Sequence, residues 1–373
     1  MLGILMIMAL NRRICTLVAV LLTIFLPVSA QVLTYEVGFE TYFDNREYSV
    51  TDIATSNSGS EFASRLTPKV GLTFAEGSEL KLGLAAMQPL GVGGDGLFSE
   101  INLLLYYTYD SSMWSVSAGL FPSYRMNIDC YSTAFFSDEY IFYDNSIDGI
   151  MGRYGCGDSF VEFVCDWQGQ PTITTREKFK LLSAGRYMWP KIYAGYNLSV
   201  THFAGQADGG EFSNVVDNAL LNPCVGFRTS GLYDFDIKMS LLQSLQRDRS
   251  YGNKWLAPRM GEFALKISRW GFTFDERLYI GDDLFPLYDG HTLDDGTYME
   301  YGGQLYTGDI FFRTTSGFYN RAALCYDRSF FNDQLGLRVH FVTHCDGGGL
   351  GTEQIMELNL KIGGVFYNSD KHK

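Results

Sequence analysis

The sequence predicts an all-β chain forming a single transmembrane antiparallel β-barrel of about 16 strands, with 14 as the alternative count. Short periplasmic turns and long extracellular loops would join the strands. Three observations carry this reading: a period-two alternation of apolar and polar residues, the lack of any long apolar run, and a sorting of connections by length.

The alternation is plainest in residues 234–246, DFDIKMSLLQSLQ. Phe235, Ile237, Met239 and Leu241 share one face, and Asp234, Asp236, Lys238 and Ser240 share the other. That pattern cannot make an apolar stripe on a helix but makes a clean two-faced strand. Nowhere after Gln31 is there an uninterrupted apolar run of roughly eighteen residues, so a bundle of membrane helices is excluded and amphipathic strands must do any crossing.

In chain order, the first strand is LTYEVGFETYF, where Tyr35, Val37, Phe39 and Phe43 alternate with Glu36, Gly38, Glu40 and Asp44. Segments 69–75 and 80–87 follow around the tight Glu76-Gly77-Ser78-Glu79, then 97–109 and 113–121 around Asp110-Ser111-Ser112. The series continues through 147–154, 159–167, 176–187, 192–203, 220–228, 234–246, 261–269, 272–280, 312–327, 334–344 and 354–366. In 272–280, Glu276 lands on the apolar parity between Phe274 and Leu278, which points to a bulge or a misplaced boundary.

Connections alternate in length: long at 45–64, short at 76–79, longer at 88–96, short at 110–112, long at 122–146, and so on to 281–308 and 345–353. Short turns at one end and long loops at the other, with both termini on the short-turn side, are what a membrane barrel requires. A bilayer core has no water for unpaired backbone groups, so the sheet must close on itself. Trp114, Trp189 and Trp270 stand beside short turns, the expected place of an interfacial aromatic girdle.

The first 30 residues read as a signal peptide: Asn11-Arg12-Arg13 supply a positive start, Ile14 to Leu26 an apolar core, and Val28-Ser29-Ala30 a cleavage site before Gln31. An extra apolar run ahead of the arginines makes Met8 a candidate start beside Met1. Residues 31–373 have no linker-like break and read as one domain. After cleavage 27 basic residues face 42 acidic ones, a net charge of −15 that disfavours nucleic acid as a partner. Cys130, Cys156, Cys165, Cys224, Cys325 and Cys345 are compatible with disulfides outside the cytoplasm, though their spacing names no pairs.

Charges on the inward parity are the candidate pore-lining residues: Glu36, Glu40, Glu100, Glu162, Asp166, Asp234, Asp236 and Glu262 among the acids. The bases are Lys69, Lys81, Lys238, Lys266, Arg321, Arg338 and Lys361. They would either make a transverse field across a constriction or pair between neighbouring strands.

Catalytic chemistry finds little support. Only His202, His340 and His344 lie in predicted strands, and Ser199 near His202 is the one serine beside a histidine, without a recognisable orienting group. Residues 289–300, DGHTLDDGTYME, begin with aspartate and end with glutamate, but His291 and Leu293 occupy ligand positions, so a calcium hand is rejected. Asp282, Asp283, Asp289, Asp294 and Asp295 read as a solvated cluster, or as a site for the cations that bridge lipopolysaccharide. GVGGDG at 91–96 reads as a turn, and neither a cofactor nor a resident metal is expected.

ETYFDNREY at 40–48, SLQRDR at 244–249 and FRTTSGFYNR at 312–321 resemble an uncharacterised, porin-like family of outer-membrane barrels of Bacteroidetes type. The resemblance implies a Gram-negative outer-membrane location and no site residues. The chain departs from general porins in carrying Tyr367, Asn368 and a charged tail after Phe366. The expected function is a passive channel for small hydrophilic solutes or ions, set against a closed structural or adhesive barrel and, third, an outer-membrane hydrolase. Outer-membrane lipid and lipopolysaccharide are the expected partners, with homo-oligomerisation left open.

Overall fold

The computed structural model describes residues 32–48, 58–91 and 98–368. The signal-peptide and 91–96 readings fall wholly or mostly outside them. Thirteen strands come first: β1 (Val32–Glu47), β2 (Gly59–Ala75), β3 (Ser78–Pro89), β4 (Glu100–Asp110), β5 (Trp114–Pro122), β6 (Ser146–Cys156), β7 (Ser159–Gly169), β8 (Lys178–Met188), β9 (Ile192–Phe203), β10 (Val216–Thr229), β11 (Asp234–Asp248), β12 (Arg259–Arg269) and β13 (Phe272–Gly281). A small hairpin, β14 (His291–Thr292) with β15 (Tyr298–Met299), precedes β16 (Phe318–Phe330), β17 (Leu335–Cys345) and β18 (Leu350–Asn368).

Every strand except the small hairpin joins one closed antiparallel barrel of sixteen, in which neighbours in sequence are neighbours in space. β13 pairs directly with β16, and closure is made by β1 against β18 from Val32↔Asn368 to Glu47↔Thr352. No free edge is left, which is the condition for crossing a bilayer with strands. Among the described residues no helix is long and apolar enough to span a membrane.

The parity read from 234–246 holds through β11. Ile237, Met239, Leu241 and Leu245 are exposed, whereas Leu242, Ser244, Gln246 and Asp248 are buried. Around the barrel the exposed series Phe62, Leu66, Val70 and Phe74 on β2, Ile101, Leu103 and Leu105 on β4, and Val225 and Phe227 on β10 makes one apolar outer band. Only lipid covers such a band without loss, and the protein is an outer-membrane barrel. Trp114, Trp189 and Trp270 are exposed at the short-turn end, the first two packed on Tyr154 and Tyr187 with ring centroids 4.9 and 4.7 Å apart.

The structure corrects several sequence readings. β2 begins at Gly59, ten residues before the expected start, and runs through Pro68. Proline lacks an N–H, and the β2–β3 ladder steps from Leu66↔Ala86 to Lys69↔Gly83, skipping Thr67 and Pro68. β10 tolerates Pro223 likewise, with its β11 ladder passing from Leu221↔Gln243 to Cys224↔Ser240. Phe312 does not begin a strand: it lies in a 3₁₀ turn, and β16 starts at Phe318, after Gly317 at φ +74° turns the chain. The β17–β18 connection shrinks to residues 346–349. At Glu276 there is neither bulge nor boundary error, since β13 pairs regularly with Leu265 on one side and Ala322 on the other. Glu276 therefore faces outward, where it accepts a hydrogen bond from Asn320. All six cysteines among the described residues are free thiols.

Candidate functional site: the barrel lumen

Two connections from the long-loop end fold into the barrel. The first, residues 123–145, carries 3₁₀ turns at Ser123–Arg125 and Ile128–Cys130 and a short helix, Asp138–Tyr143. Ser137 starts that helix by accepting the Tyr140 N–H at 3.1 Å, with Asp138 and Glu139 in the favourable first turn. The second, residues 282–317, contains β14 and β15 and a 3₁₀ turn at Ile310–Arg313, whose Phe311 N–H is capped by Asp309 at 3.0 Å.

The two segments join backbone to backbone. Ser137 N–H donates to the Thr307 carbonyl at 2.9 Å and Asp309 N–H to the Thr133 carbonyl at 2.8 Å. Gly308 is required at the crossing: a Cβ there would lie 2.1 Å from the Ala134 carbonyl oxygen. Their apolar side chains form one buried cluster with the inward face of the wall, in which Phe135, Leu284, Phe285, Phe311 and Phe312 meet Leu182, Leu242, Tyr279 and Tyr319. Phe311 stacks on His344 with centroids 4.3 Å apart, and Tyr279 on Tyr319 at 5.3 Å. Each buried aromatic or aliphatic side chain contributes about 1.5–3 kcal/mol, so these segments are held as a core is held.

Polar anchors fix them to the wall. Lys69 donates to the Tyr124 hydroxyl at 2.6 Å, Lys180 to Thr307 Oγ1 at 3.2 Å, and Gln246 Nε2 to the Leu284 carbonyl at 2.7 Å. Arg321 reaches Asp138 at 3.1 Å, and Tyr319 donates to Asp309 at 3.3 Å.

The candidate lumen charges lie on the parity opposite the lipid-facing band and are mostly engaged at short range. Glu36 pairs with Lys69 at 2.5 Å and Lys81 at 3.8 Å, and Glu40 with Arg65 at 3.1 Å. Glu162 accepts the Asn127 N–H at 3.1 Å and Arg153 at 3.3 Å, whereas Asp166 accepts the Asp148 N–H at 3.1 Å and Gln168 at 2.7 Å. Asp236 holds Arg228 at 2.7 Å, Glu262 holds Lys238 at 3.1 Å, and Asp275 holds Lys266 at 3.3 Å. Arg338 bridges Asp327 and Glu357, both at 3.2 Å, and Lys361 lies 5.3 Å from the Tyr124 ring centre. Glu100 is exposed at the long-loop mouth and Asp234 at the short-turn rim. Neighbour-to-neighbour pairing accounts for most of this set, leaving few charges free to project a field across the lumen.

Sequence reasoning missed Arg65, Arg153, Arg186, Arg228, Asp275 and Arg277. Each sits on the charged parity of its strand, a signal that was available, but Glu276 on the wrong face obscured Asp275 and Arg277.

No catalytic constellation assembles around the histidines considered from sequence. Ser199 lies on the inward parity of β9 and His202 on the outward one, where it faces Asp217 at 3.6 Å. His340 binds Asp327 at 3.1 Å, while His344 is enclosed between Glu353 at 3.0 Å and the Tyr319 hydroxyl at 2.9 Å. The loop acids are used locally. Asp283 accepts the Phe285 N–H at 2.7 Å, Asp294 the Gly252 N–H at 3.1 Å, Asp295 the Thr297 N–H at 2.9 Å, and Asp289 pairs with Arg313 at 2.5 Å. Burial raises the Asp283 carboxyl above its ordinary range, against the pull of that N–H and of Arg313. Among the described residues no group of histidine, cysteine and carboxylate side chains is placed to hold a metal ion.

Two cavities flank the joined segments. One of about 440 Å³ opens at the long-loop side between Arg46, Tyr48, Asp138, Tyr143, Tyr306 and Glu353. The other, about 160 Å³, lies toward the short turns under Tyr131.

A closed sixteen-strand antiparallel barrel with an apolar outer band and a charged lumen narrowed by folded-in loops has the outer-membrane porin fold. Among solved structures, a loop-deletion variant of OmpT, an outer membrane protein of Vibrio cholerae, is similar with a TM-score of 0.52 at 10% identity, over 90% of this chain and 100% of that one. Pseudomonas aeruginosa OprD aligns at a TM-score of 0.45 and 10% identity, over 90% and 97% of the two chains. OpdK from the same organism, solved with vanillate, aligns at 0.43 and 11%, over 89% and 99%. No protein-family model and no curated protein matches the sequence.

Proposed function

We propose that the protein is a porin-like channel through which small hydrophilic solutes or ions diffuse passively across the outer membrane. One observation carries this reading: the inner wall is lined with charged and polar side chains, and cavities of about 440 and 160 Å³ stand on either side of the folded-in segments. The porin fold of the neighbours supports the reading at the level of architecture, and kinship with the porin-like family of Bacteroidetes type belongs to the same proposal. Lipid and lipopolysaccharide are its proposed surroundings. Asp217, with Arg247 at 2.6 Å and Arg249 at 2.9 Å, lies on the outward parity at the long-loop end, where lipid phosphates would lie.

A second reading, a closed structural or adhesive barrel, is favoured by the buried aromatic cluster that packs the middle of the lumen. Planar-bilayer recording separates the two: discrete conductance steps from the folded full-length protein support the channel, and an electrically silent folded barrel supports the scaffold.

A further inference from the structure

The smaller cavity lies at the short-turn side of the joined segments, between Cys130 and Tyr131 above and residues of β7 to β13 around it. Its lining includes five basic residues, Arg186, Arg228, Lys238, Lys266 and Arg277, against two carboxylates, Asp129 and Asp236. In a chain whose net charge is −13, that local reversal calls for an explanation.

Part of the basic charge is answered from within the wall. Asp236 is saturated by Arg228 at 2.7 Å and by the Tyr193 hydroxyl at 2.7 Å. Behind the lining, Glu262, with no exposed side-chain surface, takes Lys238 at 3.1 Å, and Asp275 takes Arg277 at 2.9 Å and Lys266 at 3.3 Å. Arg186 is left over. Its Nε donates to the Asp158 carbonyl at 3.0 Å, and its guanidinium lies 5.6 Å from the Phe160 ring centre and 5.9 Å from that of Tyr193. Among the described residues no carboxylate lies within ion-pair distance of it, and its two terminal nitrogens have no hydrogen-bond partner. An arginine fork without an acid, half-buried and flanked by other cations, is the arrangement that receives a carboxylate or a phosphate oxygen pair.

A second observation points to the same place. The Tyr131 hydroxyl is buried and has no hydrogen-bond partner among the described residues, and Tyr131 is one of the residues that line this cavity. An unpaired buried hydroxyl costs about 1–3 kcal/mol, which marks the roof of the cavity as a polar position that the fold leaves unsatisfied. Space is adequate: at roughly 30 Å³ for a water's share of the liquid, about 160 Å³ admits a phosphate or a four-carbon diacid.

We infer that this cavity is an anion-binding station in the lumen, in which Arg186, backed by Lys238 and Arg277, takes the carboxylate or phosphate group of a small anionic solute. The inference deepens the channel reading by naming the charge class of its solute, and it rests on that reading for its physiological sense.

The test is calorimetric titration of the refolded full-length protein in detergent micelles with inorganic phosphate and, separately, with succinate, for wild type and Arg186→Gln. Arg186 has no acid partner to orphan, so the variant is expected to fold, which the gel-mobility shift of the unboiled barrel checks. Saturable binding of either probe that weakens at least tenfold in the variant supports the station, and which probe binds tells phosphate from carboxylate chemistry. Absence of binding by both probes to the folded wild type, or equal binding by the folded variant, overturns it. If Arg186→Gln does not fold, Arg186→Met replaces it under the same criterion. Binding is read without conduction: a barrel that binds and does not conduct retains the station and defeats the channel, whereas one that conducts and does not bind does the reverse.

Discussion

The wall of the barrel and the two segments that fill it are both built largely from aromatic and aliphatic residues, yet different forces hold them. On the wall, apolar side chains point outward to lipid and the backbone ladder supplies the cohesion, so position along the strand decides what each residue tolerates. In the lumen, Phe285, Phe311 and Phe312 are buried against Leu242, Tyr279 and Tyr319 as in a soluble core, and packing decides. The wall should therefore be sensitive to charge and indifferent to volume, and the inserted segments the reverse.

The largest effect is expected in the lumen. Phe312, fully buried, when cut to alanine should lose about 3–5 kcal/mol of packing. Because the ladder does not depend on it, the barrel should still run as a folded species on an unheated gel while its conductance rises; loss of the folded band would show that wall and insert are one cooperative unit. Next comes the wall. Met239→Arg places a charge at mid-depth in lipid and should cost about 2–4 kcal/mol in urea titrations, whereas arginine at Ser240, one residue on and facing Glu262, should cost far less. Equal costs at the two positions would refute the parity.

A smaller effect is expected where the regions meet. Arg321→Met removes the Asp138 tether and should loosen the first segment by about 1.5–3 kcal/mol, seen as faster proteolysis within residues 123–145 at unchanged barrel stability. The smallest is at Glu276, whose carboxylate faces outward with Asn320. Glu276→Leu should stabilise the barrel in lipid by about 1 kcal/mol, and destabilisation there would mean that something other than lipid covers that face.

The same contrast explains what could be read from the sequence. Strand existence, parity and the sorting of connections were legible because a period of two is imposed on every residue of a membrane strand. Two boundaries, at β2 and β16, differ from the expectation in opposite directions. The strand expected over 69–75 extends back through Pro68, which merely skips a ladder bond, and the aromatic Phe312 at the expected start of 312–327 packs inward instead of beginning a strand. The folded-in segments were illegible in principle: AFFSDEYIFY and the apolar residues of 284–312 announce that they must be covered, but nothing in their order says whether lipid, a partner or the lumen covers them. Arg186 is legible as an inward-facing charge, but its lack of an acid partner, like that of the Tyr131 hydroxyl, is a property of the assembled cavity and not of a strand.

The most direct test is single-channel recording of folded wild-type protein beside Phe312→Ala in planar bilayers. A channel narrowed by its own loops gives small, discrete steps in the wild type and larger ones in the variant. Silence from both, with the barrel verified as folded, contradicts it.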